Sequence, residues 1–191
     1  MKQWRTLDAR LALDHPVLRV ELARRRRADG LEHDFVRLHS PDWVNVIPVT
    51  PEGRVVLIRQ WRQGADEVAL EIPGGIIDPG ETPAQAAARE LLEETGHRAA
   101  SLDHLGWVHP NPALFSNRCH TFLARDVHDH QPQRPEDVEE IEVVTVAAAE
   151  LPGLVAGGAI THSLVVAALA RWWLLGGWPG GADGSRRSGD S

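Results

Sequence analysis

Residues 75–97 read GIIDPGETPAQAAARELLEETGH, and no other stretch of the chain constrains the fold so tightly. Thr82 suits a helix N-cap, Pro83 suits the first helical position, and Gln85 completes a Thr-x-x-Gln capping box. The residues that follow, AQAAARELLEET, are mostly strong helix formers, and Gly96 ends the run. The pattern predicts a helix on which Glu90, Glu93 and Glu94 share one face, because residues three and four apart are helical neighbours.

Like charges at these spacings destabilise a helix by a few tenths of a kcal/mol per pair, and Arg89 offsets only part of that repulsion. The helix alone supports two readings. One is a solvated acidic surface face. The other is a seat for a hard divalent cation such as Mg²⁺, which takes carboxylate oxygens and completes its shell with water and phosphate oxygens.

The wider spacing separates the two. Gly75, Glu81, Arg89, Glu90, Leu91, Glu93, Glu94 and Gly96 occupy eight positions at fixed offsets, a pattern that resembles the signature of the Nudix hydrolases. The one departure is His97, where that family usually places an aliphatic residue. The resemblance implies an enzyme dependent on Mg²⁺ or Mn²⁺ that hydrolyses a nucleoside diphosphate linked to another group. It implies Glu90 and Glu94 as metal ligands, Glu93 as a further ligand or catalytic group, and the backbone carbonyl of Gly74 as an additional ligand. Glycines at 74 and 75 let the backbone turn sharply and approach a metal. Arg89 is expected to orient the glutamates, and Glu81 to brace the loop against the helix.

Residues outside this stretch bear on the substrate. Leu70-Glu71-Ile72-Pro73-Gly74-Gly75 resembles the lead-in of ADP-ribose and nucleotide-sugar hydrolases. Arg59-Gln60-Trp61-Arg62 resembles the strand from which that branch sends an arginine to the substrate's phosphates or ribose. Arg62 is the first choice, with Arg59 expected on the same strand face as the alternative; a guanidinium suits phosphate recognition. Pro112, fifteen residues beyond position 97, resembles a proline marker of ADP-ribose specificity, although HPNPALFSNRCH carries extra residues. In the same branch the general base lies on a loop well after the helix. Here that region reads PEDVEEI, leaving Glu139, Glu136 and Asp137 as candidates, or an ordinary acidic surface loop. Trp43 could stack an adenine, worth about 1–3 kcal/mol, or sit in the core. His109, His120, His128 and His130 lack an accompanying cysteine cluster and are read as non-ligands.

A formal charge of −7 argues against nucleic-acid binding through a broad basic surface. The single cysteine, Cys119, cannot form an internal disulfide, which suits a cytoplasmic protein. The start MKQWRTLDARLALDH lacks the apolar stretch of a secretory signal. No apolar run reaches the roughly 18 residues needed to span a bilayer, so no membrane association is expected.

Strands are expected over residues 17–23 and 35–38 around a polar tip, RRRRADG, with Asp29-Gly30 as the turn. A second strand pair is expected over 43–50 and 54–60, with further strands over 68–72, 101–109, 118–124 and 141–146. Residues 161–175 have the length and apolarity of a final helix, with Trp172 and Trp173 in packing or an interface. The expected class is α+β. The resemblance implies a Nudix α/β/α sandwich around a mixed β-sheet, with extra N-terminal antiparallel strands. The expected divisions are dimer-forming strands over 1–42, a hydrolase domain over 43–175 and a disordered tail over 176–191. In the ADP-ribose branch such N-terminal strands build a homodimer.

The resulting expectation is hydrolysis of the pyrophosphate bond of ADP-ribose or a related nucleoside diphosphate sugar, giving a nucleoside monophosphate and a sugar phosphate. Two alternatives stand beside it: a broad nucleotide-sugar pyrophosphatase, acting for example on GDP-mannose, and a non-catalytic nucleotide-binding Nudix sensor. The sensor's usual mark is a degraded glutamate set, whereas Glu90, Glu93 and Glu94 are all present.

Overall fold

The computed structural model describes residues 1–135 and 140–176. Three N-terminal strands, β1 (Trp4–His15), β2 (Leu18–Arg27) and β3 (Glu32–His39), form a separate antiparallel sheet in that order. The main sheet contains β4 (Trp43–Val49), β5 (Arg54–Arg62), β6 (Glu67–Glu71), β7 (Gly74–Ile76), β9 (Ser101–Val108), β10 (Cys119–Arg125) and β12 (Ile141–Ala147). Two short strands, β8 (His97–Arg98) and β11 (His128–Asp129), pair beside it. The main sheet is mixed: β4 and β10 run parallel, and the other pairings are antiparallel.

Helices cover both faces. On one side α1 (Pro83–Thr95) packs Ala86, Ala87 and Leu91 against Val46, Val56 and Phe122. On the other, α2 (Leu151–Ala156) and α3 (Ser163–Leu174) pack Leu151, Leu169 and Trp172 against Ile47, Leu57 and Leu123. The strand period of two explains the split: Val44 and Val46 of β4 face α1, and Ile47 faces α3. The result is the expected α/β/α sandwich. Trp172 is buried in the core, and Trp173 is exposed. Among the described residues, no helix is long and apolar enough to cross a membrane.

The N-terminal sheet corrects two expectations. Arg24 to Arg27 do not form a hairpin tip but lie within β2. Cross-strand carboxylates pair with two of them, Arg24 with Asp34 and Arg26 with Glu32, which lie opposite in register, and Arg27 pairs with Asp29 of the turn. The turn itself does contain Asp29-Gly30, with Gly30 at φ +93°. The second correction is β1, which falls within the strands expected over 1–42 but is given no individual strand there; its alternating Leu7, Ala9, Leu11 and Leu13 are a period-2 signal.

The β4–β5 pair also differs from a simple hairpin. Only Val49 and Val55, beside the turn closed by Gly53, stand in register. Beyond them the strands part, β4 pairing with β7 and β5 with β6. Residues lining the site come from the edges of that division. Residues 177–191, most of the expected tail, lie outside the described residues.

Candidate active site

The capping box predicted at α1 is formed. Thr82 Oγ accepts from the Gln85 N–H, Gln85 Oε1 accepts from the Thr82 N–H, and Gly96 closes the helix at φ +74°. A cap of this kind is worth about 1 kcal/mol, and a buried side chain such as Leu91 about 1.5–3 kcal/mol, so packing on the sheet dominates in fixing the helix.

That anchoring brings the acidic face of α1 against the glycine turn of β7. The Gly74 N–H donates to Glu94 Oε2 at 2.8 Å. Glu90 lies so close to Gly75 that a Cβ there would fall 2.3 Å from its Oε1, which explains the need for glycine. Arg89 sits among the acids: its Nη1 donates to Glu90 Oε1 at 2.8 Å and to Glu93 Oε2 at 3.1 Å. Its Nε and Nη2 grip Glu81 at 2.9 and 3.0 Å, and Nη2 also reaches the Ile76 carbonyl. Arg89 therefore organises the carboxylates, and Glu81, which also accepts from the Asp78 N–H, ties loop to helix. The Glu81 hydrogen bond, opposed by burial, helps push the Arg89 guanidinium well above its ordinary range, and the same contact lowers Glu81.

Arg89 pairs with Asp78, Glu81, Glu90 and Glu93, and Glu94 lies beside them on the Gly74 N–H. Among the described residues no three acidic, histidine or cysteine side chains stand in a finished metal-ligand array. The donor set fits a hard divalent cation in kind: carboxylate oxygens in excess of local positive charge, beside backbone that has no side chains in the way.

The glycine turn also borders a cleft of about 1090 Å³ that opens between the parted strands and the start of α3. Its walls include Trp43, Asn45, Arg62, Glu140 and His162. Trp43 is half-buried, its ring centroid 5.9 Å from that of Phe115. Arg62 grips the buried Glu71 with two hydrogen bonds, Nε to Oε1 at 2.9 Å and Nη2 to Oε2 at 2.8 Å. His162 Nδ1 donates to the same Glu71 Oε2 at 2.8 Å. Cys119 also lines the cleft, but burial pushes its thiol up to about 12, so it is no thiolate nucleophile.

Burial opposes ionisation of Glu71, yet the hydrogen bonds from Arg62 and His162 outweigh it and hold the carboxyl at about 2 rather than 4.5. A carboxyl whose pKa falls on folding contributes stability that is complete above its unfolded value and is lost as pH drops through its folded one. Acid sensitivity between about pH 4.5 and pH 2 is therefore expected to be smaller in Glu71→Gln than in wild type, as read by the fall in Tm. Equal falls in both proteins would contradict this assignment.

Other predicted residues fall elsewhere. Arg59 was expected to share Arg62's face, but side chains three apart on a strand point to opposite faces. Accordingly Arg59 pairs with Glu142 of β12 at 3.3 Å and is absent from the cleft wall. Pro112 lies exposed in a turn organised by Asn111, in a loop that docks on Leu38 of β3, and it too is off the cleft wall. Glu136, Asp137 and Glu139 lie outside the described residues. Glu71 and His162 have no signal of their own in the sequence: Glu71 stands inside the lead-in motif, and an isolated histidine before an apolar helix is not distinctive.

Comparison with known proteins adds relatives to this geometry. A family model described as the NUDIX domain matches residues 39–164. The chain is 35% identical over 107 residues to an ADP-ribose pyrophosphatase of Bacillus subtilis, a match covering 56% of this chain and 58% of that protein. It is 34% identical over 121 residues to an ADP-sugar pyrophosphatase of Mus musculus, covering 59% and 56%. The chain thus spans little more than half the length of these curated relatives. The crystal structure of an ADP compounds hydrolase superposes with a TM-score of 0.80 at 26% identity, covering 91% of this chain and 95% of that one.

Proposed function

This chain belongs to the Nudix family, and from that premise we propose that it hydrolyses the pyrophosphate bond of ADP-ribose or a related nucleoside diphosphate sugar, using Mg²⁺ or Mn²⁺. The products are a nucleoside monophosphate and a sugar phosphate: AMP and ribose 5-phosphate when ADP-ribose is the substrate. The observation that carries this reading is the junction of the α1 glutamates with the Gly74-Gly75 turn at the edge of a nucleotide-sized cleft. The names of the Bacillus, mouse and crystallographic relatives support the substrate class.

A pyrophosphate resists attack because its anionic oxygens repel nucleophiles. Glu90, Glu94, Glu93 and the Gly74 carbonyl would hold the divalent cation, which supplies charge neutralisation and a more acidic water. Arg89 keeps the glutamates aimed by holding Glu90 and Glu93. Arg62, on the cleft wall, is assigned to the substrate's phosphates, and Trp43 to the base. The proton of the attacking water is assigned to one of Glu136, Asp137 and Glu139, with Glu93 as a further candidate. Rates for ADP-ribose, ADP-glucose, GDP-mannose and ATP, measured with Mg²⁺, test the substrate class. The two sugar-linked adenosine diphosphates are expected to be the better substrates, whereas turnover of ATP alone would exclude the class.

We also propose a homodimer formed through the N-terminal sheet, in a cytoplasmic protein. Strand β1 is exposed over nearly its whole length, with Leu7, Leu11 and Leu13 facing solvent, an arrangement suited to burial by a second copy. Light scattering after size exclusion is expected to give twice the 21.0 kDa chain mass. Charged residues at Leu11 and Leu13 should return it to the monomer value; a wild-type monomer would contradict the assembly.

A further inference from the structure

Glu71 is a buried carboxylate of the cleft wall with several charged partners. Its side chain is 3% exposed, and it accepts three hydrogen bonds from two separate parts of the chain. Two come from Arg62, at the end of β5; the third comes from His162, immediately before α3. An ionised carboxylate only accepts, so the His162 Nδ1 at 2.8 Å must carry a proton and donate it. His162 stands at the N-cap of α3 but makes no side-chain cap there, turning its ring to Glu71 instead. Asparagine, aspartate, serine or threonine would ordinarily serve a helix better at this position.

The geometry explains that choice. Arg62 is 38% exposed at its side chain and sits at the end of its strand, where a long guanidinium would otherwise sample many rotamers. Two parallel hydrogen bonds to one carboxylate fix the plane of the guanidinium. That plane is only as fixed as the carboxylate. Glu71 lies on β6, which already pairs with β5, so Arg62 and Glu71 could shift together. His162 ties the carboxylate to α3, an element packed on the core through Val165, Leu169 and Trp172.

We infer that His162 is a positioning residue for substrate binding: through Glu71 it sets the aim of the Arg62 guanidinium at the diphosphate. The inference rests on the assignment of Arg62 to the substrate's phosphates. His162 acts through Glu71, so its loss weakens substrate binding while leaving the metal-binding glutamates and turnover of bound substrate largely as they were.

The test uses the full chain and ADP-ribose. Dissociation constants are measured by calorimetry in EDTA, and kcat and KM with Mg²⁺. His162→Ala is expected to raise both Kd and KM about fivefold, with kcat within about twofold, since one charge-assisted hydrogen bond to the buried carboxylate is lost. His162→Asn, whose amide nitrogen stands in for Nδ1, should recover most of the affinity. His162→Gln, which places its amide one bond further out, should not. In the Arg62→Ala background, His162→Ala should have no further effect on Kd.

Unchanged Kd and KM in His162→Ala would overturn the inference, as would equal affinities in the Asn and Gln variants. Multiplying effects of His162→Ala and Arg62→Ala would overturn it as well, because His162 would then act on the substrate independently. Should His162→Ala fail to fold, the Asn and Gln comparison decides. A wild-type affinity in Arg62→Ala would instead remove the phosphate assignment on which the inference rests, and absence of wild-type turnover with intact ADP-ribose binding would remove only the proposed reaction.

Discussion

Glu94→Gln is expected to lower kcat by about a hundredfold or more while leaving the fold intact, since losing one preorganised electrostatic contributor costs on the order of 10²–10³ in rate. Glu94 is 3% exposed and accepts the Gly74 N–H at 2.8 Å. Glutamine has the same shape and keeps a carbonyl oxygen for that bond, so the turn should hold. What it lacks is the negative charge that the proposed metal requires. Steady-state kinetics with titrated Mg²⁺, alongside thermal unfolding, separate the two effects. A folded variant with near-normal kcat would remove Glu94 from the chemistry.

Arg62→Ala is expected to act on binding rather than on turnover. Loss of a charge-assisted contact to phosphate should raise KM for ADP-ribose about 10- to 100-fold. The same change leaves Glu71 buried with the His162 hydrogen bond but without the two from Arg62, and a buried carboxylate stripped of its cation is costly. Because Arg62 is itself 38% exposed, the stability cost is discounted to about 1–3 kcal/mol, a fall in Tm of several degrees for a chain of this size. Combining it with Glu71→Ala should recover much of the Tm but none of the KM. Recovery of KM in the double variant would show that Arg62 matters only as the partner of Glu71.

The division between what could be read in advance and what could not follows physical lines. The α1 helix, its capping box and the convergence of its glutamates on the glycine turn rest on local contacts, whose geometry is set by spacing of three and four residues. These were legible. Arg62 on the cleft was legible through its motif, but the assignment of Arg59 to the same face overlooked the two-residue period of a strand. Glu71, Arg62 and His162 meet from β5, β6 and the start of α3. Ninety-one residues separate Glu71 from His162, and no local pattern encodes that contact. Strand β1 is a different case: Leu7, Ala9, Leu11 and Leu13 alternate at the strand period, so its signal was local and available, although the side chains stay exposed in the structure. Pro112 shows the limit of counting along a sequence, because an offset of fifteen residues does not say which surface the loop presents, and Pro112 is not on the cleft wall.

The central claim is that the glutamate face of α1, the glycine turn and Arg62 together hydrolyse the diphosphate of a nucleoside diphosphate sugar. Its most direct test is the identity of the products formed from ADP-ribose by the wild-type chain, with Mg²⁺ and again in excess EDTA. AMP and ribose 5-phosphate in equal amounts, formed only with the metal, are predicted. Intact ADP-ribose under both conditions, or cleavage at any bond other than the pyrophosphate, would contradict the account.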